Sequence, residues 1–132
     1  MPQVSLLATL VGTLLGFVLG AVWYGPIFGK AWMAEHGFTE EQLTKDFNPG
    51  KTYGITFVLG FIAAYVFGMF LGAAPGMGFA VGAGAAAGLF WVAFGLATNY
   101  LFSRHSVKLM IIDGGYHTVR FTLVGLAFGL LG

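Results

Sequence analysis

Residues 107–132 read VKLMIIDGGYHTVRFTLVGLAFGLLG, an apolar run long enough to cross a lipid bilayer. The run carries four polar or ionisable side chains, namely Asp113, Tyr116, His117 and Arg120. On an α-helix, at about 100° per residue, these four fall within an arc of about 100°. A charged side chain at the centre of a bilayer costs about 2.5–3.5 kcal/mol on insertion scales, so this side must face protein or water. The stretch therefore predicts a membrane helix packed among other helices.

The composition of the whole chain is that of an integral membrane protein. Of its 132 residues, 58% are hydrophobic and 8% are charged, whereas soluble proteins have about 25% charged residues. The net charge of +1 gives no reason to expect a nucleic-acid partner, and the expected partner is the lipid bilayer itself. The chain has no cysteine, which excludes disulfides, thiolate metal sites and thiol catalysis.

Four apolar segments account for nearly the whole chain. They predict an all-α fold in which residues 1–132 form a single four-helix transmembrane domain of two antiparallel hairpins. The predicted helices lie at about 4–24, 53–72, 77–102 and 107–131. A short interfacial or cytoplasmic helical loop is expected between the first two. Since the first segment lacks the basic start of a cleavable signal peptide, we expect it to be retained as a helix.

Small residues recur at every fourth position along these segments. In the first helix they include Ala8, Gly12 and Gly16, and the second and third helices carry similar rows of glycine and alanine. Such rows let two helix backbones approach closely in a membrane. They predict tight packing within the chain and offer surfaces for a homo-oligomer or for binding to a larger membrane complex.

The end of the first helix carries a recognisable motif. Residues 20–32 read GAVWYGPIFGKAW and are followed at 37–41 by GFTEE. This motif resembles that of an uncharacterised domain-of-unknown-function family of small four-helix bacterial membrane proteins, and the Gly115-Tyr116 pair matches a second mark of the family. The resemblance implies four spans and a bacterial inner membrane, and it implies no particular activity.

The same motif predicts how the chain meets the membrane surface. Aromatic and basic side chains are enriched at the level of the lipid headgroups, where they act as interfacial anchors. The candidate anchors are Trp23, Tyr24, Pro26, Lys30 and Trp32. An alternative interpretation is that the aromatic members form a shaped docking surface. In the loop that follows, Thr39 and Gln42 have the spacing of a helix capping box.

Basic residues predict the orientation of the helices. Both termini and the turn between the second and third helices lack lysine and arginine. The five basic residues outside the membrane lie in or beside the other two loops; they are Lys30, Lys45, Lys51, Arg104 and Lys108. By the positive-inside rule, loops 25–52 and 103–107 are cytoplasmic and both termini are periplasmic, in a multi-pass protein of the inner (cytoplasmic) membrane.

The depth of each polar residue suggests which of them meet. With a rise of about 1.5 Å per residue, Asp113 lies about 7–8 Å inside the cytoplasmic end of the last helix and Arg120 about 18 Å inside. Asn99, on the antiparallel third helix, reaches about the depth of Asp113. The sequence thus predicts one polar layer of Asp113, Asn99 and His117, with Arg120 one turn deeper.

Three interpretations of this polar set stay open. It forms a neutral structural cluster, in which Asp113 and Arg120 attract each other with His117 as a bridge. Alternatively it forms an ion or proton pathway or a small-solute site in a homo-oligomer, with Asp113, Tyr116, His117, Arg120 and Asn99 as candidate residues. The protein could instead be a non-catalytic accessory subunit of a larger complex. An enzyme is not expected, because the sequence has no catalytic motif, no metal-ligand spacing and no cofactor motif.

Overall fold

The computed structural model describes residues 4–45 and 47–132, and within these ranges every regular element is helical. The first long helix, α1 (Leu6–Val22), continues directly into a π-helical segment, Trp23–Ile27. In chain order the remaining bounds are α2 (Gly29–His36), α3 (Glu40–Thr44), α4 (Pro49–Leu71), α5 (Met77–Ala86), the second π-helical segment (Ala87–Ala93), α6 (Phe94–Phe102) and α7 (Val107–Leu131). The helix formed by α5, the second π-helical segment and α6 is continuous and is the third long helix.

Three of these helices are long and apolar enough to cross a membrane: Leu6–Ile27, Pro49–Leu71 and Met77–Phe102. The fourth span predicted at 107–131 is present as the 25-residue helix α7. It is not among the three because its polar side chains lower its mean hydropathy. Length and hydropathy therefore give three candidate spans, one fewer than the sequence predicts.

Polar caps determine where the helices begin. Thr39 and Gln42 form the capping box that the sequence predicts, at the start of α3. Asn48 accepts a hydrogen bond from the amide of Lys51 at 3.1 Å, and Pro49 occupies the first turn of α4. Since proline is favoured at a first helical position, α4 begins at Pro49 and not near residue 53 as predicted.

Helix α7 lies at the centre of the bundle and runs antiparallel to α1 on one side and to α5 on the other. Against α5 the two backbones nearly touch. A Cβ added to Gly84 would collide with the carbonyl oxygen of Phe121, and one added to Gly125 would collide with that of Ala80. Glycine is required at both positions because these crossings leave no room for a side chain.

The remaining long helix, α4, packs against α1 and meets α7 near its end. Its Gly68 lies against the ring of Phe128, and Phe67 packs edge-on against Phe121 with ring centroids 5.8 Å apart. These two aromatic residues of α7 belong to the buried core, which also includes Val124. N-terminal to Gly68, α4 is separated from α7. A cleft opens there between α1 and α4, and α7 forms its floor.

Candidate functional site

The polar side chains of α7 divide into two groups. Asp113 is held at the end of the bundle where α1 and α6 end. Arg120, two turns further along α7, forms the second group with His117 and lines the cleft between α1 and α4. Tyr116 stands between the two groups. The layer of Asp113, Asn99 and His117 expected from the sequence is therefore not formed, because Asp113 lies in one cluster and His117 lies with Arg120 in the other.

Asp113 is clamped between two tyrosine hydroxyls. Tyr24 donates to Oδ1 at 2.5 Å and Tyr100 donates to Oδ2 at 2.6 Å. The aspartate is 7% exposed, so the two hydroxyls take the place of water around the carboxyl group. Two donated bonds of this length, one to each oxygen, are typical of an ionised carboxylate, which can only accept. The clamp joins α7 to the ends of both neighbouring helices.

The π-helical segment at the end of α1 brings Tyr24 into this clamp. Pro26 lies inside the segment, and proline removes a backbone donor and crowds the preceding turn, which widens the helix locally. The indole nitrogen of Trp23 donates to the carbonyl oxygen of Ile112 at 2.8 Å, one residue before Asp113. Trp32 of α2 packs edge-on against Tyr24, with centroids 6.2 Å apart. Three aromatic residues predicted as interfacial anchors thus pack on or next to the aspartate site.

The other two predicted anchors lie at the surface. Lys30 is exposed at the start of α2, and Pro26 is exposed within the π-helical segment. Their placement fits a boundary between protein and headgroups. The interpretation as anchors stays a prediction for these residues.

Asn99 lies elsewhere than expected, and Tyr100 occupies the position beside Asp113. Asn99 is exposed, while the adjacent Tyr100 is half-buried against α7. The second π-helical segment, Ala87–Ala93, explains the difference. A π-bulge accommodates one extra residue, so every later side chain is rotated by about 100° relative to a regular α-helix. The ridge that begins at Gly84 and Gly88 therefore continues through Ala93 to Tyr100, and not to Asn99.

Among the residues that the structure describes, none that is acidic forms a hydrogen bond with Arg120. Its Nε donates to Nδ1 of His117 at 3.3 Å, and its guanidinium carbon lies 4.4 Å from the ring centroid of Phe121. Asp113 lies two turns away on α7 and hydrogen-bonds to tyrosines, so the neutral pair of Asp113 and Arg120, one of the three interpretations, is not seen among the described residues. Within residues 4–45 and 47–132, Nη1 and Nη2 of Arg120 make no hydrogen bond. The guanidinium therefore keeps its terminal donors for another group.

Those terminal donors lie at a cavity of about 330 Å³. The cavity is half open and lies between α1 and α4; its lining includes Gly12, Thr13, Gly16, Thr56, Leu59 and Gly60, together with Tyr116, His117 and Arg120 of α7. A Cβ built on Gly60 would lie 4.0 Å from Nη1. The absence of a side chain at Gly60 therefore leaves space next to the guanidinium.

A second cavity of about 680 Å³ continues from the first towards the Tyr24 end of the bundle. The two cavities share four residues of their linings: Gly16, Phe17, Thr56 and Tyr116. The ring of Tyr116 packs on that of Tyr24 with centroids 5.3 Å apart, and its hydroxyl donates to the carbonyl oxygen of Gly16 at 3.0 Å. One groove thus runs along α1 from the clamp to Arg120, and Tyr116 forms part of its floor throughout.

Sequence reasoning missed Tyr24 and Tyr100 as partners of Asp113. Tyr24 belongs to the motif that carries the family resemblance, and the alternative of a docking surface was the nearer description of its role. For Tyr100 the only signal was its position next to Asn99. In the described ranges no group of three or more histidine, aspartate or glutamate side chains is arranged to hold a metal ion.

Comparison with known proteins places the chain in a family. The model of a family described as "Protein of unknown function (DUF1761)" matches residues 7–129. The match includes the aromatic motif at the end of α1 and the polar residues of α7. No curated protein and no solved structure matches the chain.

Proposed function

The chain belongs to the DUF1761 family, and from this premise we propose that it is a membrane protein whose four long helices all cross the bilayer. The description of the family names no activity, so the proposal depends on the residues of this chain. At about 1.5 Å per residue, the 25 residues of α7 extend about 38 Å, more than the roughly 30 Å of a bilayer core. Its antiparallel neighbours α1 and α5 belong to apolar candidate spans. Their packing on both sides of α7 supports the proposal that α7 crosses the membrane beside them.

The proposed location is a bacterial inner membrane. The distribution of lysine and arginine supports cytoplasmic loops at 25–52 and 103–107 and periplasmic termini. In this orientation the clamp around Asp113 faces the cytoplasmic side, and Arg120 lies near the middle of the bilayer. The second cavity then leads from the cytoplasmic end of the helices to the guanidinium.

We propose that the protein binds a small anion in the cleft and serves in its binding or permeation, without catalysing a reaction. The observation that carries this proposal is the Arg120 guanidinium, which lines a cavity while its terminal nitrogens lack a partner in the described residues. An arginine at the middle of a bilayer is costly when its charge is not compensated. An anion in the cavity would compensate that charge, whereas Asp113 lies two turns away on α7 and hydrogen-bonds to Tyr24 and Tyr100.

A homo-oligomer is part of the proposal. The cleft between α1 and α4 is open on one side, and four helices enclose little volume on their own. A second copy placed against this opening would close the cleft from the lipid. The polar path through the bundle would then lie between subunits.

The test is anion flux in proteoliposomes with a matched pair of variants. Arg120→Gln removes the charge in the cleft, whereas Arg104→Gln removes the only other arginine charge, from an exposed turn. We expect Arg120→Gln to abolish a thiocyanate or formate flux that Arg104→Gln leaves intact. Equal flux through wild type and Arg120→Gln, with both proteins folded, would contradict the proposal.

A second candidate function is that of an accessory subunit of a larger membrane complex. Gly78 and Gly82, one turn apart on α5, favour this role. A Cβ built on either glycine would meet no other atom within 4 Å. Two such glycines leave a shallow strip on the outer side of the bundle where another helix could pack. The mass of the protein purified in mild detergent distinguishes the two: a homo-oligomer favours the anion site, and co-purification with other subunits favours the accessory role.

A further inference from the structure

We infer that the ligand of the Arg120 cleft is a monocarboxylate with a small apolar body. This inference rests on the proposed function, since it names the chemical class of the anion. It is carried by three properties of the cleft: the number of positive charges in it, the number of hydrogen-bond donors left free in it, and the nature of its walls.

The charge of the cleft matches a single negative charge. Arg120 is the only arginine or lysine in its lining. The neighbouring His117 accepts a hydrogen bond through Nδ1, so that nitrogen carries no proton and the ring is neutral in this arrangement. A dianion in a low-dielectric environment would keep one uncompensated charge, which is costly. The cleft therefore favours a monoanion over a dianion such as hydrogen phosphate.

The hydroxyl groups in the cleft already donate hydrogen bonds to backbone carbonyl oxygens. Thr13 donates to the carbonyl oxygen of Thr9 and Thr56 to that of Thr52, each at 2.7 Å. Tyr116 donates to a carbonyl oxygen of α1. Three hydroxyls that could have surrounded a phosphate or sulfate are thus unavailable as donors. What is left is the pair of terminal nitrogens of Arg120 and the Nε2–H of His117, which carries the ring proton when Nδ1 accepts.

That pair suits the geometry of a carboxylate. Because Nε is engaged with His117, the guanidinium presents its end, with one N–H from each of Nη1 and Nη2. Two parallel N–H groups bind the two oxygens of a planar carboxylate in a bidentate arrangement. Tetrahedral anions have further oxygens that would need donors, and beyond Arg120 the free side-chain donor in the lining is the Nε2–H of His117.

The walls of the cleft suit an apolar body. Phe17, Leu59 and Ala63 contribute hydrocarbon surface, and glycines make up much of the remainder. The volume of about 330 Å³ is at the lower end of the roughly 300–1,000 Å³ usual for ligand pockets. The carboxylate belongs either to a short water-soluble acid or, if the opening between α1 and α4 is not covered by a second copy, to a fatty acid that enters from the bilayer.

Calorimetric titration of the full-length protein in nanodiscs tests the inference. The probes are sodium benzoate, its neutral isostere benzamide, palmitate and inorganic phosphate. We expect benzoate to bind, benzamide and phosphate to bind at least about tenfold more weakly, and Arg120→Lys to weaken benzoate at least about tenfold because lysine lacks the bidentate pair. Arg104→Lys is the matched control and should bind like wild type.

A second pair of variants tests the location without altering the charge. Gly60→Leu places a side chain beside Nη1, whereas Gly54→Leu, on the same helix, points into open space. Gly60→Leu should abolish benzoate binding and Gly54→Leu should preserve it. Tighter binding of palmitate than of benzoate, with the same dependence on Arg120, would identify the bilayer as the source of the carboxylate.

Two further outcomes separate the inference from the proposed function. If phosphate or thiocyanate binds in an Arg120-dependent manner and benzoate does not, the inference is wrong while the anion site stands. If no probe shows a dependence on Arg120 in protein that remains folded, both fail. Equal binding of benzoate and benzamide would also overturn the inference, because it would show that the charge plays no part.

Discussion

The clamp around Asp113 allows a stability prediction to be worked out from its geometry. Tyr24→Phe removes the hydroxyl that donates to Oδ1 at 2.5 Å, while the ring keeps its contacts with Trp32 and Tyr116. Asp113 is only 7% exposed, so water cannot easily replace the lost donor. Hydrogen bonds to charged groups contribute about 1.5–3 kcal/mol, and we expect Tyr24→Phe to lower the free energy of unfolding by that amount. Tyr100→Phe should cost a similar amount through Oδ2.

A double-mutant cycle shows whether the cost comes from the clamp. In an Asp113→Asn background the hydroxyl of Tyr24 no longer meets a charge, so the additional cost of Tyr24→Phe should fall by about 1 kcal/mol or more. The measurement is equilibrium unfolding in detergent. Tyr53→Phe, at an exposed tyrosine of α4, is the control and should change stability by less than about 0.5 kcal/mol. The reasoning is refuted if Tyr24→Phe costs no more than Tyr53→Phe, or if its cost is the same in both backgrounds.

Two further predictions concern packing and orientation. Gly84→Ala places a methyl group against the carbonyl oxygen of Phe121 and should lower the free energy of unfolding by about 1–3 kcal/mol, whereas Gly82→Ala on the same helix should be neutral or slightly stabilising; equal effects would contradict the close crossing of α5 and α7. Because the chain has no cysteine, single cysteines at Ser103 and Leu131 report topology directly. An impermeant maleimide added to intact cells should label Leu131→Cys and not Ser103→Cys, and the reverse pattern would overturn the proposed orientation.

The sequence predicted the helical architecture because its signals are periodic and local. Apolar segments gave the approximate positions of the long helices, and rows of small residues indicated which sides pack closely. Glycines at positions 84, 88 and 125 do lie at backbone crossings with a neighbouring helix. The capping box at Thr39 is likewise a local signal that the structure confirms.

The sequence could not predict which residue of the third long helix reaches Asp113. A regular helical period through Gly84 and Gly88 leads to Asn99. The π-helical segment Ala87–Ala93 adds one residue to the turn, so the register of every later side chain is shifted by one position. Nothing in that segment signals a π-bulge, since it contains ordinary apolar residues and no proline. Tyr100 therefore became visible as a partner only in three dimensions.

The contact between the aromatic motif and Asp113 could not be predicted either, because it also depends on a π-helical segment. Trp23 and Tyr24 have the composition and position of an interfacial belt, which is the usual interpretation of such a pair. Whether they face the lipid or the protein depends on the local widening of the helix around Pro26. That widening brings Tyr24 to Asp113.

The central claim is that the guanidinium of Arg120 lies inside a membrane-spanning bundle and is available to an anion. The chain has two arginines, Arg104 and Arg120, so nitrogen-15 labelling of arginine gives a spectrum of two guanidinium groups that Arg104→Lys assigns. The direct measurement is solid-state NMR of the labelled protein in bilayers with a spin label on the lipid chains, before and after benzoate is added. The account predicts that benzoate shifts the terminal nitrogens of Arg120 and that the lipid label broadens them little. Strong broadening of Arg120 by the lipid label, with no shift on addition of benzoate, would contradict it.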